Sequence, residues 1–225
     1  GSSNFYEIIE TDSSASAKQK KQEGNYWDSF IKLNFDLDKR NQKFQTTDGY
    51  RSTFNQTVPI VSEDTAFFNS YEFTTFNQIS DMITRLSVKG SAINAIGDED
   101  VRVSKRLYIP SKKLRGFEPG KVGPIEDQDY VGGNYVSSVN FNARLPGVLP
   151  SFQNTDVSFF IDAANLWGID YDSSLDDRST IRSSTGLAVD VWTPIGPLNL
   201  SYSIPITKNS SDTTESVRFN LGTTF

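Results

Sequence analysis

The feature that most constrains this chain is a period of two in its apolar residues. In residues 217–225, Val217, Phe219, Leu221, Thr223 and Phe225 share one face, and Ser216, Arg218, Asn220, Gly222 and Thr224 share the other. The same split sets Leu198, Leu200, Tyr202, Ile204 and Ile206 against Asn199, Ser201 and Ser203, and Leu187, Val189 and Val191 against Ala188 and Asp190. Upstream, Tyr135, Val139, Phe141, Ala143 and Leu145 oppose Ser138, Asn140, Asn142 and Arg144, and Ile31, Leu33, Phe35 and Leu37 oppose Lys32, Asn34, Asp36 and Asp38. Less regular strands are predicted near Phe5 to Thr11, Tyr50 to Val61, Ala66 to Ser80, Met82 to Ile96 and Asp156 to Trp167, for about ten in all. No useful window shows helical periodicity. Short turns such as Thr193 to Pro197 alternate with long polar segments, Ser13 to Gly24, Gly97 to Gly133 and Gly168 to Arg182, so the two ends of the strands are inequivalent.

An antiparallel all-β chain of this kind has two solutions. A soluble sandwich or barrel buries the apolar faces, whereas an outer-membrane barrel turns them toward lipid and keeps a polar lumen. No run of 18 apolar residues is present, so a helical span is excluded, but a β-barrel needs none. The 16 Phe, 9 Tyr and 3 Trp, the strand lengths and the asymmetric loops favour the membrane solution, with Trp167 and Trp192 read as interfacial girdle residues. The 225 residues include neither Cys nor His, which excludes thiol and imidazole chemistry and the metal sites built on those groups. Neither catalysis nor a cofactor is expected. Asp170, Asp172, Asp176 and Asp177 lack the spacing of a calcium loop and read as a mobile external segment. With 28 Asp+Glu against 22 Lys+Arg, the net charge of -6 argues against a nucleic-acid partner. No charged-then-apolar leader opens the chain, so an export signal is expected outside it.

Four motifs point further. The segment Lys113-Leu114-Arg115-Gly116-Phe117-Glu118-Pro119-Gly120-Lys121-Val122-Gly123-Pro124 resembles the VRGF loop of the outer-membrane assembly and secretion superfamily (bacterial surface antigens). Gly132-Gly133-Asn134 is similar to the glycine pair that opens the superfamily's next strand. Phe160-Ile161-Asp162-Ala163-Ala164 resembles its Phe-x-Asp-x-Gly strand, and Phe219 to Phe225 its carboxy-terminal targeting strand. Thr47-Asp48-Gly49-Tyr50-Arg51 resembles a turn upstream of the loop. Three departures stand out: Ile109-Pro110-Ser111 replaces a glycine pair before the loop, Ala164 replaces the motif glycine, and Asn142 stands where a carboxylate is usual.

The resemblance is strongest to the BamA-type insertases. It implies that residues 1–225 are the last ten or so strands of a transmembrane barrel of sixteen, with periplasmic domains and early strands outside this chain. The loop of residues 98–133 would fold into the lumen, where Arg115 meets Asp162, Gly116 supplies a tight turn and Phe117 packs on the wall, with Leu114 completing the motif. Val217, Phe219, Leu221 and Phe225 would form the terminal assembly signal. The implied activity is insertion of outer-membrane β-barrels by templating strands at a lateral seam. The implied partners are outer-membrane lipids, nascent outer-membrane proteins and assembly lipoproteins, in the bacterial outer membrane. A TamA-like factor, a two-partner secretion transporter, a passive channel and a soluble β-sandwich binding module remain the alternatives.

Overall fold

A computed structural model describes residues 2–8, 24–43, 45–62, 66–97, 100–149, 154–175, 178–193 and 196–221. Ten strands form one antiparallel sheet in chain order: β1 (Ser2–Ile8), β2 (Gly24–Asp38), β3 (Gly49–Ser62), β4 (Ala66–Ile79), β5 (Met82–Ala95), β8 (Tyr135–Leu145), β9 (Thr155–Trp167), β10 (Arg182–Thr193), β11 (Gly196–Thr207) and β12 (Val217–Leu221). The ten strands expected from alternation are present. Strand β1 lies a little earlier than Phe5 to Thr11, whose last residues fall outside the described part, as does Phe225. Between β5 and β8 the chain forms two short 3-10 turns, Val103–Lys105 and Ser111–Lys113, and a small hairpin of β6 (Ile125–Glu126) and β7 (Asp129–Tyr130). The long loop is therefore a structured element rather than a plain connection.

The alternation separates an apolar outer face from a polar inner one. Leu200 keeps 48% of its surface exposed while its neighbour Ser201 keeps 1%. Ile31, Leu33, Phe35, Val139, Ile161, Leu187, Phe219 and Leu221 point outward and are exposed. Ser87, Ser138, Asn140, Asp162, Ser184 and Ser203 point inward and are buried. A soluble sandwich requires the reverse arrangement. An apolar exterior is stable only against hydrocarbon, where each large side chain gains about 1.5–3 kcal/mol on leaving water. The fold is that of a transmembrane β-barrel wall. Most strands run from 11 to 15 residues, enough to cross a bilayer when tilted.

Residues from β3 to β12 line two adjoining inner cavities of about 480 and 440 Å³, so the sheet is concave toward the lumen. Among the described residues no ladder joins β1 to β12, leaving the sheet with two edges. The ladder between β11 and β12 spans five residues, from Tyr202 opposite Val217 to Leu198 opposite Leu221.

Candidate functional site

Strand register brings one lumenal row into line. Thr74 on β4 lies opposite Ser87 on β5, Ser87 opposite Asn140 on β8, Asn140 opposite Asp162 on β9, and Asp162 opposite Ser184 on β10. The loop segment Lys113 to Arg115 lies along this row. Asn140 Nδ2 donates to the Lys113 carbonyl at 2.9 Å and to Asp162 Oδ1 at 2.9 Å. The Lys113 ammonium reaches Glu72 Oε1 at 2.5 Å and Ser87 Oγ at 3.0 Å. The Ser184 hydroxyl donates to the Arg115 carbonyl.

At the centre of the row, Arg115 and Asp162 form the fork expected from the motif. Arg115 Nε donates to Asp162 Oδ2 at 2.7 Å, its terminal nitrogen NH2 to Oδ1 at 2.8 Å, and its backbone N–H to Oδ2 at 3.1 Å. Asp162 is fully buried, so two parallel charge-assisted bonds compensate a carboxylate removed from water. The same guanidinium donates to Asn142 Oδ1 at 3.0 Å and lies 3.5 Å from the centroid of the Phe160 ring. Asn142 thus keeps an acceptor where a carboxylate is usual.

Small residues make room for the loop. Gly116 has φ +88, and a Cβ there would sit 3.2 Å from the Cβ atoms of both Ser184 and Ser203. Gly186, inward on β10, would place a Cβ 2.8 Å from the Phe160 ring, so its missing side chain seats the ring that carries Arg115. Leu114 and Phe117 are buried with Ile109, Val122, Val136, Ala164 and Leu166, forming an apolar patch at the loop end of the lumen.

The loop also grips the segment leading into β12. Phe117 bridges Thr214, Glu118 N–H donates to the Thr213 carbonyl at 2.9 Å, and Glu215 N–H donates to the Gly116 carbonyl at 3.2 Å. Arg218, inward on β12, donates to the Ser111 carbonyl at 2.6 Å, to the Phe117 carbonyl and to Glu215. Arg182 and Asp212, both buried, pair through bonds of 3.0 and 3.2 Å.

These observations place a loop of this motif across a membrane-barrel lumen, and the sequence comparison fits that geometry: the Omp85 superfamily domain matches residues 2–225. The chain belongs to the Omp85 superfamily. It is 25% identical over 228 residues to the outer membrane protein assembly factor BamA of Neorickettsia risticii, covering 98% of this chain and 30% of that protein. It is 25% identical over 229 residues to the sorting and assembly machinery component 50 homolog A of Xenopus laevis, covering 94% of this chain and 48% of that protein. The chain thus spans less than half the length of these relatives. The crystal structure of BamA from Haemophilus ducreyi lacking POTRA domains 1–3 superposes with a TM-score of 0.79 over 90% of this chain and 45% of that one, at 22% identity.

Within this Omp85 wall, Val217, Phe219 and Leu221 lie outward on β12 as expected. Two sequence readings are corrected. Trp192 is no girdle residue: it lines the lumen with Asp190, and its indole N–H points to Asp156 Oδ2 at 3.4 Å. The parity of Ala188 and Asp190 already required this. Asp170 is an anchor rather than a mobile loop carboxylate. It accepts from the Val101 N–H at 3.0 Å and Asn134 Nδ2 at 2.9 Å, and it pairs with the buried Arg106. Burial, the largest influence, pushes the Asp170 carboxyl upward. The Val101 N–H, the Asn134 amide and Arg106 outweigh it and hold the group below the ordinary carboxylate value. Trp167 stacks on Tyr135 with centroids 5.7 Å apart at the loop end of the wall. Sequence reasoning missed Lys113, Asn140, Ser184 and Arg218. The available signal was the run of small inward residues, Ser184, Gly186, Ala188, Ser201 and Ser203, which marks close approach of another backbone.

Proposed function

We propose that this chain is barrel wall from a BamA-like insertase that assembles β-barrel proteins in the bacterial outer membrane. The observation that carries this reading is the loop laid across the lumen and fastened to Asp162 on β9 and through Arg218 to β12. A passive channel gains nothing from obstructing its lumen and tying that obstruction to the edge strand. The edge is the working surface. Unpaired backbone groups in lipid cost several kcal/mol each, so an incoming strand that adds to an opened edge is stabilised by the hydrogen bonds it completes. No covalent step is needed. Outer-membrane lipids contact the apolar face, nascent outer-membrane proteins are the clients, and assembly lipoproteins are the accessory partners. Residues 98–133 act as the structural loop of this domain, and Val217, Phe219, Leu221 and Phe225 act as its own assembly signal.

The test is folding of a urea-unfolded small outer-membrane barrel protein into vesicles carrying the complete protein. Folding faster than into empty vesicles, and slower again with Arg115→Ala, supports assembly activity. Steady ion conductance with no acceleration favours the passive channel.

A further inference from the structure

One short turn of the loop is held from two distant parts of the wall. Ser111–Lys113 forms a single 3-10 turn, closed by the Lys113 N–H donating to the Pro110 carbonyl at 2.8 Å. On one side, Arg218 of β12 donates to the Ser111 carbonyl at 2.6 Å. On the other, the Lys113 ammonium reaches Glu72 Oε1 on β4 at 2.5 Å and Ser87 Oγ on β5 at 3.0 Å. Ser87 donates in turn to the same carboxylate oxygen at 3.1 Å, while Lys89 stands 3.9 Å from the second oxygen. Asn140 Nδ2 holds the Lys113 carbonyl at 2.9 Å, so the backbone of the turn is fixed where its side chain crosses to β4. Lys113 precedes the Leu114 to Phe117 motif, and its pin to Glu72 shares no charged group with the Arg115 and Asp162 fork.

Along the sheet β4 and β12 are far apart. Six ladders lie between them: β4 with β5, β5 with β8, β8 with β9, β9 with β10, β10 with β11, and β11 with β12. Each ladder tolerates a range of twist, and such differences accumulate across a sheet. The turn bypasses all six. We propose that Lys113 is a positioning residue for the edge strand: with Glu72 it makes residues 111–113 a chord that fixes β12 against β4. The bonds at both ends of the chord involve a charged group, and such bonds are roughly twice as strong as neutral ones. Lys113 and Arg218 each keep only 8% of their surface exposed, so water competes little for either. A lysine in open water samples many rotamers, whereas one buried along its stem and bonded at its ammonium serves as a fixed spacer. The Arg115 fork does not supply this brace, since its contacts are with Asn142 on β8, Asp162 on β9 and Ser184 on β10. In the proposed insertase, on which this role rests, the chord sets where the edge stands before a client strand arrives, and Glu72 acts on it from six strands away.

Hydrogen exchange of the β12 amides in the complete folded protein, with no client present, tests this. Lys113→Met and Glu72→Gln keep the side-chain size, and each should speed exchange at residues 217–221 by roughly tenfold to a hundredfold, the loss of one charge-assisted contact. The double variant should be little faster than either single one. Lys113→Arg keeps the charge and should restore most of the protection. Arg51→Gln breaks a lumenal pair with Asp36 that does not touch the loop, and it should leave β12 unchanged. Spin labels on Tyr71→Cys of β4 and Phe219→Cys of β12, both outward, read the chord directly: their distance distribution should broaden in Lys113→Met and in Glu72→Gln. That second readout also decides the matter if one of the two variants does not fold. Acceleration confined to the loop, β4 and β5, an unchanged distance distribution, or the same β12 acceleration from Arg51→Gln overturns the proposal. Client folding measured separately isolates the functional premise. A wild-type protein that fails to accelerate it overturns the insertase reading, while the exchange and distance results still decide the chord.

Discussion

Removing either member of the Arg115 and Asp162 pair leaves the other buried without its compensation. Asp162 has no exposed surface and accepts four hydrogen bonds, three from Arg115 and one from Asn140. Arg115→Ala removes the two charged bonds and the contact with the Phe160 face while leaving the carboxylate in place. Breaking a buried pair this way costs about 3–5 kcal/mol. Asp162→Ala strands the guanidinium, which keeps only Asn142 and the Phe160 ring, at a similar cost. Independent effects would put the double variant at roughly 6–10 kcal/mol, whereas partners in one pair should leave it within about 1–2 kcal/mol of the worse single variant. Arg115→Lys keeps the charge but cannot make the fork, and it should fall between wild type and Arg115→Ala.

The assay is native-state trypsin cleavage after Lys112 and Lys113, which remain in every variant. Where opening and closing are fast relative to cleavage, the rate follows the population of the open loop. A loss of 3 kcal/mol then reads as roughly a hundredfold faster cleavage. The neighbouring anchors at Lys113, Arg182 and Arg218 keep the response local, so heat-modifiable gel mobility should be retained. Fully additive cleavage free energies in the double variant would show that the two residues act separately and would refute the pairing argument.

Gly116→Ala should destabilise loop docking by about 1–2 kcal/mol from the left-handed backbone alone, with more from crowding against Ser184 and Ser203, read in the same trypsin assay; a neutral result would mean the loop does not sit on those serines. Arg218→Ala should expose the Ser111 and Phe117 carbonyls and raise hydrogen exchange both in loop residues 116–121 and in β12, and exchange confined to β12 would sever the inferred link. The Asp170 carboxyl is depressed in the folded protein, so its contribution is complete above its ordinary value of 3.8 and is lost as the pH falls through the lower folded value. Exchange of the Val101 amide should therefore show extra acceleration only in that acid range, and Asp170→Asn should show the acceleration at neutral pH.

Period two made the strands and their faces legible because lipid and lumen impose opposite demands on alternate residues. Leu200 and Ser201 are separated in the fold as their polarity required. The Arg115 and Asp162 pair was legible because the resemblance implied both partners and strand parity independently put Asp162 inward. Asn140 and Ser184 were not, since their alignment with Asp162 depends on register across three strands, and alternation fixes a side chain's face but not its height. Arg218 was hidden for another reason. It is a lone inward arginine whose acceptors are backbone carbonyls of Ser111 and Phe117, about a hundred residues earlier, and carbonyls carry no residue signature. Asp170 lies beyond Trp167, where alternation ends and no face rule applies. Trp192 was misjudged by residue type although parity had the answer.

The same contacts bear on how the β12 edge behaves. Five residue pairs hold β12 to β11, and no ladder holds its other side among the described residues. Its outward Phe219 and Leu221 are solvated by lipid whether or not β12 stays paired, so they resist departure into the lumen but not lateral separation from β11. The inward side is different, because Arg218 is bound to the carbonyls of Ser111 and Phe117, which lie on either side of the seated Arg115. Moving β12 away from the wall must therefore break either the Arg218 bonds or the seating of the loop, and each loss leaves buried acceptors unpaired. In the proposed insertase the loop thus biases the edge strand toward its paired position. Loosening the fork at Asp162 weakens that bias from three strands away without touching a single hydrogen bond of the β11 and β12 ladder.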